Sequence, residues 1–111
     1  MPVGQSVEDN GWVTITPDLL RALANECNRY TLRYLDESTA EYVEFQNLSE
    51  WVGMQVSEPS SVPVKLRHRT LPIFADLDLI EYNSDENIIR QHPELQLPIE
   101  LKKVLRKIDE E

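Results

Sequence analysis

Signals for helix, short strand, helix, helix and two-stranded hairpin follow one another along this 111-residue chain. A basic stretch without a single acid coincides with the third helix, and one more helical stripe follows the hairpin. Together these observations predict an α+β fold, a winged helix-turn-helix with an extra C-terminal helix. The length suits one core. The organisation expected is a flexible tail over 1–11, the winged-helix domain over 12–92, and a C-terminal helix over 93–111.

Element by element, Trp12-Val13-Thr14-Ile15 is a short β-prone run, an edge strand or an arm on the core. Thr16-Pro17-Asp18 then starts a helix, with Thr16 as N-cap, Pro17 in the first turn and Asp18 at the positive end of the dipole. Leu20, Leu23, Cys27, Tyr30 or Thr31, Tyr34 and Leu35 keep helical spacing. Asn25-Glu26 leaves open whether this is one helix or two pieces, and Asp36 to Thr39 ends it. Tyr42-Val43-Glu44-Phe45 alternates as a strand. Asn47 as N-cap and Glu50 at the capping-box position open a second helix, with Leu48, Trp51 and Val52 inward.

After the loop Ser57 to Ser61, a third helix runs from about Val62 to Leu79. At 100° per residue from Lys65, Leu66, Ile73 and Leu77 gather between about 80° and 120° as the core face. Lys65, His68 and Arg69 form a stripe beside that face, and Arg67 lies on the far flank, near about 200°. Pro72 removes the hydrogen bond to the His68 carbonyl and should kink or reset the helix. Leu79 to Tyr82 and Ile88 to Arg90, separated by Asn83-Ser84-Asp85-Glu86-Asn87, form the hairpin that pairs with the preceding strand. Beyond the His92-Pro93 loop, Pro98 opens a last helix, with Leu101, Val104 or Leu105, and Ile108 as its stripe.

Charge is distributed unevenly. The net charge is −9, yet residues 59–75 contain no acid and three bases, Lys65, Arg67 and Arg69. Residues 1–58 hold ten acids against three bases, and residues 76–100 hold seven against one. An acidic body with one basic island on the third helix points to double-stranded DNA as the partner, read through Lys65, Arg67, His68 and Arg69. Ser60 and Ser61 at the helix start would donate to phosphate, and Arg29 and Arg33 would clamp the backbone. The acidic hairpin tip, Asp85-Glu86, would repel a phosphate backbone. Leu101, Leu105 and Ile108 suggest a homodimer seam. The rival expectation is a protein-interaction module whose acidic surface recognises a basic protein partner.

Two segments carry a family resemblance. Asn25 to Leu35, NECNRYTLRYL, is similar to the N-x-x-R-R-Y-x-L-x-Y-L opening of a haloarchaeal winged-helix domain family of unknown function. Leu66 to Tyr82, LRHRTLPIFADLDLIEY, resembles that family's L-x-x-x-H-L-P-x-L-x-D-x-G-L-I-x-Y segment. Asp78 stands where the pattern has Gly, Thr70 where it has His, and Glu26-Cys27 interrupt the basic run before Arg29. The resemblance implies a DNA-binding transcriptional regulator. It also suits the excess of acids and the four lysines, since carboxylates hold hydration in a salty cytoplasm.

Other chemistries find little support. Cys27 is a lone cysteine, which excludes an internal disulfide and suits a small core residue. His68 and His92 lie 24 positions apart without further ligands, so no metal or other cofactor is expected. No Ser-His-Asp arrangement or Gly-rich phosphate loop suggests an enzyme. The polar N-terminus and the lack of a long apolar run suit a cytoplasmic protein without a membrane segment.

Overall fold

The computed structural model describes residues 15–38, 40–91 and 97–109. The expected tail 1–11, the arm residues Trp12 to Thr14 and the His92-Pro93 loop lie outside them. Helix α1 (Pro17–Ala22) begins as its sequence dictates: the Thr16 hydroxyl oxygen accepts the Leu19 N–H at 3.1 Å. Helix α2 (Glu26–Glu37) has its own cap, Asn25, whose Oδ1 accepts the Asn28 N–H at 3.3 Å. The first apolar stripe is therefore two helices. Leu23 is buried as expected, but α1 turns Leu19 inward, fully buried, and leaves Leu20 53% exposed. Cys27 is buried in the core, as expected.

Strand β1 (Tyr42–Glu44) leads directly into helix α3 (Phe45–Gln55). The expected N-cap Asn47 lies three residues beyond the observed one, Glu44. Phe45 buries its ring, and its backbone N–H bonds the Asn87 carbonyl at 2.8 Å. That bond anchors the first turn without a side-chain cap. Glu50 accordingly accepts from Gln46 Nε2 at 2.9 Å instead of closing a capping box.

The third helical run covers 62–76 in three pieces. These are α4 (Val62–Lys65), a π-helical turn (Leu66–Thr70) and α5 (Leu71–Asp76), preceded by a 3₁₀ turn (Pro59–Ser61). The π turn closes with the Leu71 N–H on the Leu66 carbonyl, and Pro72, lacking an N–H, sits in the first turn of α5. The predicted reset is thus a π turn just before the proline. Its extra residue moves the downstream core face, so Thr70 and Leu71 are both buried and Phe74 is fully buried in the place expected for Ile73. The run ends in a Schellman motif. Leu79 N–H bonds the Phe74 carbonyl and Asp78 N–H the Ala75 carbonyl, both at 3.0 Å, with Asp78 at φ 61°.

Strands β2 (Ile80–Asn83) and β3 (Ile88–Gln91) form the expected hairpin, and β1 pairs with β3. The sheet is antiparallel in the order β1-β3-β2, with fully buried Ile89 opposite both Val43 and Tyr82. Helix α6 (Ile99–Asp109) follows. The whole is an α+β arrangement of helices with a small three-stranded antiparallel sheet, compatible with a winged helix. No described helix is long and apolar enough to cross a membrane.

The dimer seam expected on α6 needs correction. Leu101 and Leu105 are 3% and 1% exposed and belong to the chain's own core, so they are not available to a second copy; Ile108 is 43% exposed.

Candidate nucleic-acid interface

The basic island lies on the π turn and its approach. Arg67, His68 and Arg69 are all exposed and Lys65 is half-buried. In a regular helix three consecutive residues spread around most of the circumference, which is why helical spacing alone sends Arg67 to a far flank. In the structure the π turn leaves all three exposed, with Arg67 turned toward the start of α3 and the hairpin and Arg69, like Lys65, bordering α1. Among the described residues, none of the four lies within 4.0 Å of a carboxylate.

Arg67 is held in place by two residues that sequence patterns do not single out. Its guanidinium carbon sits 4.2 Å from the centre of the Phe45 ring, a cation–π contact, and Nη1 donates to Asn87 Oδ1 at 3.0 Å. Asn87 adopts φ 56°, a conformation that Asn tolerates better than most residues, at the end of the hairpin loop. One residue thus ties the helix to both the start of α3 and the hairpin.

The interior side of the turn is polar and satisfied. Thr70 donates from its hydroxyl to Asn28 Oδ1 at 2.5 Å, and Asn28 Nδ2 donates to the Ala22 carbonyl at 2.8 Å. Thr70 occupies the position where the resembled pattern has His. This buried chain of bonds joins α1, α2 and the π turn.

Three of the four expected phosphate ligands are engaged elsewhere. Arg29 Nε and Arg33 Nη1 both donate to the Asp109 carboxylate, at 2.9 and 3.0 Å, and Arg29 also donates to the Leu23 carbonyl. The Asp109 side chain is only 3% exposed. The two arginines close an internal contact between α2 and α6 and are not free to clamp a duplex. Ser61 Oγ donates to the Glu58 carbonyl at 2.9 Å, which occupies its only hydroxyl hydrogen. Ser60 remains exposed on the 3₁₀ turn.

The hairpin offers little to a phosphate. Arg90 is held by Glu41 and Glu81, each at 3.3 Å, and the Glu81 hydrogen bond, before its charge, raises the arginine above its ordinary pKa. Asp85 and Glu86 are exposed at the tip, where their N–H groups bond Asn83 Oδ1. A family model described as a domain of unknown function (DUF7344) matches residues 20–90. No curated protein and no solved structure matches the chain.

Proposed function

We propose a function from the premise that the chain belongs to the DUF7344 family, whose domain has no assigned function. The chain is a transcriptional regulator of winged-helix type that binds double-stranded DNA through the run 65–69, in the cytoplasm of a haloarchaeon. One observation carries this reading. In a chain of net charge −9, Lys65, Arg67, His68 and Arg69 lie within one helical run of five residues with no described carboxylate within 4.0 Å. Arg67, stacked and hydrogen-bonded, is ordered before any ligand arrives and is suited to a bidentate contact with a guanine edge. Lys65 and Arg69 are suited to phosphates, and the acidic hairpin tip stays outside the contact.

Fluorescence polarisation on a duplex library across a salt series tests the reading, with the wild type beside Arg67→Ala/Arg69→Ala. Expected is saturable binding that weakens with salt. The double variant should show a salt slope smaller by about one for each phosphate that it no longer neutralises. Circular dichroism verifies that the variant folds. Binding absent at every salt, or indifferent to the double substitution, overturns the proposal. The exposed Asp85-Glu86 tip supports a second reading, recognition of a basic protein partner, and a chain that ignores every duplex would favour it.

A further inference from the structure

A groove of about 370 Å³ lies between α1 and the helical run 62–76, lined by the Asp18–Arg21 pair, Asn25, Lys65 and Arg69, with Ala22 and Ile73 as apolar wall. We propose that it is a binding site for a small organic dianion, a phosphate monoester or a short dicarboxylate, held by Lys65 and Arg69.

Charge selects the class of ligand. Asp18 and Arg21 pair at 3.1 Å and cancel. Lys65 and Arg69 have no described carboxylate within 4.0 Å, so both are free to take an anion in the groove, Lys65 also bordering a second hollow lined by Glu26 and Glu58. A dianion neutralises both; a neutral molecule or a monoanion leaves charge unmatched. The arginine fork and the lysine point charge together suit an oxyanion group.

Shape and floor argue for a site rather than a surface crease. The floor is the buried pair Asn28 and Thr70, bonded to each other and to the Ala22 carbonyl. These bonds fix α1, α2 and the π turn relative to one another, so the groove is formed in advance. Its volume falls at the lower end of the roughly 300–1,000 Å³ typical of small-molecule sites. The Asn25 side chain and the apolar wall supply contacts for an organic body as well as for its charged end.

Position gives the site a consequence. Lys65 and Arg69 belong both to the groove and to the turn offered to DNA, so a bound dianion takes two cations from the duplex. This coupling rests on the DNA reading; the groove itself does not.

NMR titration of ¹⁵N-labelled full-length protein without DNA tests the site, at constant ionic strength held with KCl. AMP supplies a phosphate monoester, malonate a dicarboxylate and adenosine a neutral body. Expected are saturable shifts at the amides of Ala22, Asn25, Asn28 and Thr70 with AMP, malonate or both, and none with adenosine. Lys65→Gln and Arg69→Gln should each weaken that binding about tenfold, the loss of one charge-assisted hydrogen bond, in spectra that remain dispersed. No saturable shift with either dianion at millimolar concentration, or shifts unaltered by both variants, overturns the site. Duplex polarisation repeated with saturating dianion then reads the coupling. Weaker duplex binding supports it and unchanged binding overturns it, whereas a chain that binds the dianion and no duplex refutes the DNA reading alone.

Discussion

Asp78 is held at φ 61° by the Schellman motif that ends α5, at the position where the resembled pattern has Gly. An L-residue in that region costs about 1–2 kcal/mol, with Asp among the cheaper ones, while Gly costs the unfolded chain about 0.5–1 kcal/mol of extra entropy. The difference favours Gly slightly. Asp78→Gly should raise the thermal midpoint by a gain of up to about 1 kcal/mol, and Asp78→Val should lower it by more; thermal melts followed by circular dichroism decide both. Tyr30 offers a pH test. Burial, followed by the charge of Asp109, raises its phenol above the ordinary 10.0. Its proton is therefore held more tightly in the folded chain than in the unfolded one. That stabilisation is complete below pH 10.0 and disappears as pH climbs through the raised folded value. Tyr30→Phe, with no proton to lose, should show a shallower decline of the melting temperature in alkali than the wild type. Parallel declines would mean that other groups carry the alkaline sensitivity.

Between elements, the contact of greatest consequence joins α2 to α6. Asp109 is nearly enclosed, and its two arginines, Arg29 and Arg33, are 14% and 25% exposed. Removing the carboxylate leaves two half-buried cations without their partner. Asp109→Asn should therefore cost about 2–4 kcal/mol, toward the lower end because both arginines keep some water. Urea denaturation measures it, and a change within error would mean that α6 is held by Leu101 and Leu105 alone. This ion pair is not legible in the sequence: Asp109 lies 80 and 76 positions from its partners, and a charged residue carries no periodicity that betrays a distant mate. What can be read is local. The Thr16-Pro17-Asp18 start of α1 and the Asn83–Asn87 hairpin loop follow from hydrogen bonds made within a few residues, whereas the break at Asn25, left open by the sequence, is settled by the Asn25 cap in the structure. The basic island is legible from charge alone. The π turn is half legible, since Pro72 announces a disturbance, but whether Ile73 or Phe74 fills the core depends on packing against the rest of the fold. Helical spacing separates Arg67 from Lys65 and Arg69, but it does not reveal the anchors Phe45 and Asn87, which belong to other elements.

For the whole molecule, the decisive quantity is an acidic surface of net charge −9. Self-repulsion of that surface opposes the compact state, and added salt screens it, the Debye length shrinking from about 10 Å at 0.1 M to about 3 Å at 1 M. Salt also weakens the exposed pairs Arg21–Asp18, Arg90–Glu41 and Arg90–Glu81, which water already screens. The enclosed Asp109 carboxylate and its arginines are screened far less. Repulsion relieved over the whole surface should outweigh three loosened surface pairs, so the melting temperature should climb across a KCl series from about 0.1 M to 1 M. A falling melting temperature would show that the surface pairs, not the repulsion, govern stability. The same salt acts in the opposite sense on duplex binding, because counterion release loses its force as the bath concentration rises. A chain that gains stability in concentrated KCl has to rely there on contacts that salt does not dissolve. The stacked, hydrogen-bonded Arg67 is suited to supply one. Its alanine variant should accordingly lose a larger share of duplex affinity at about 1 M KCl than at about 0.1 M, and Lys65→Ala the reverse.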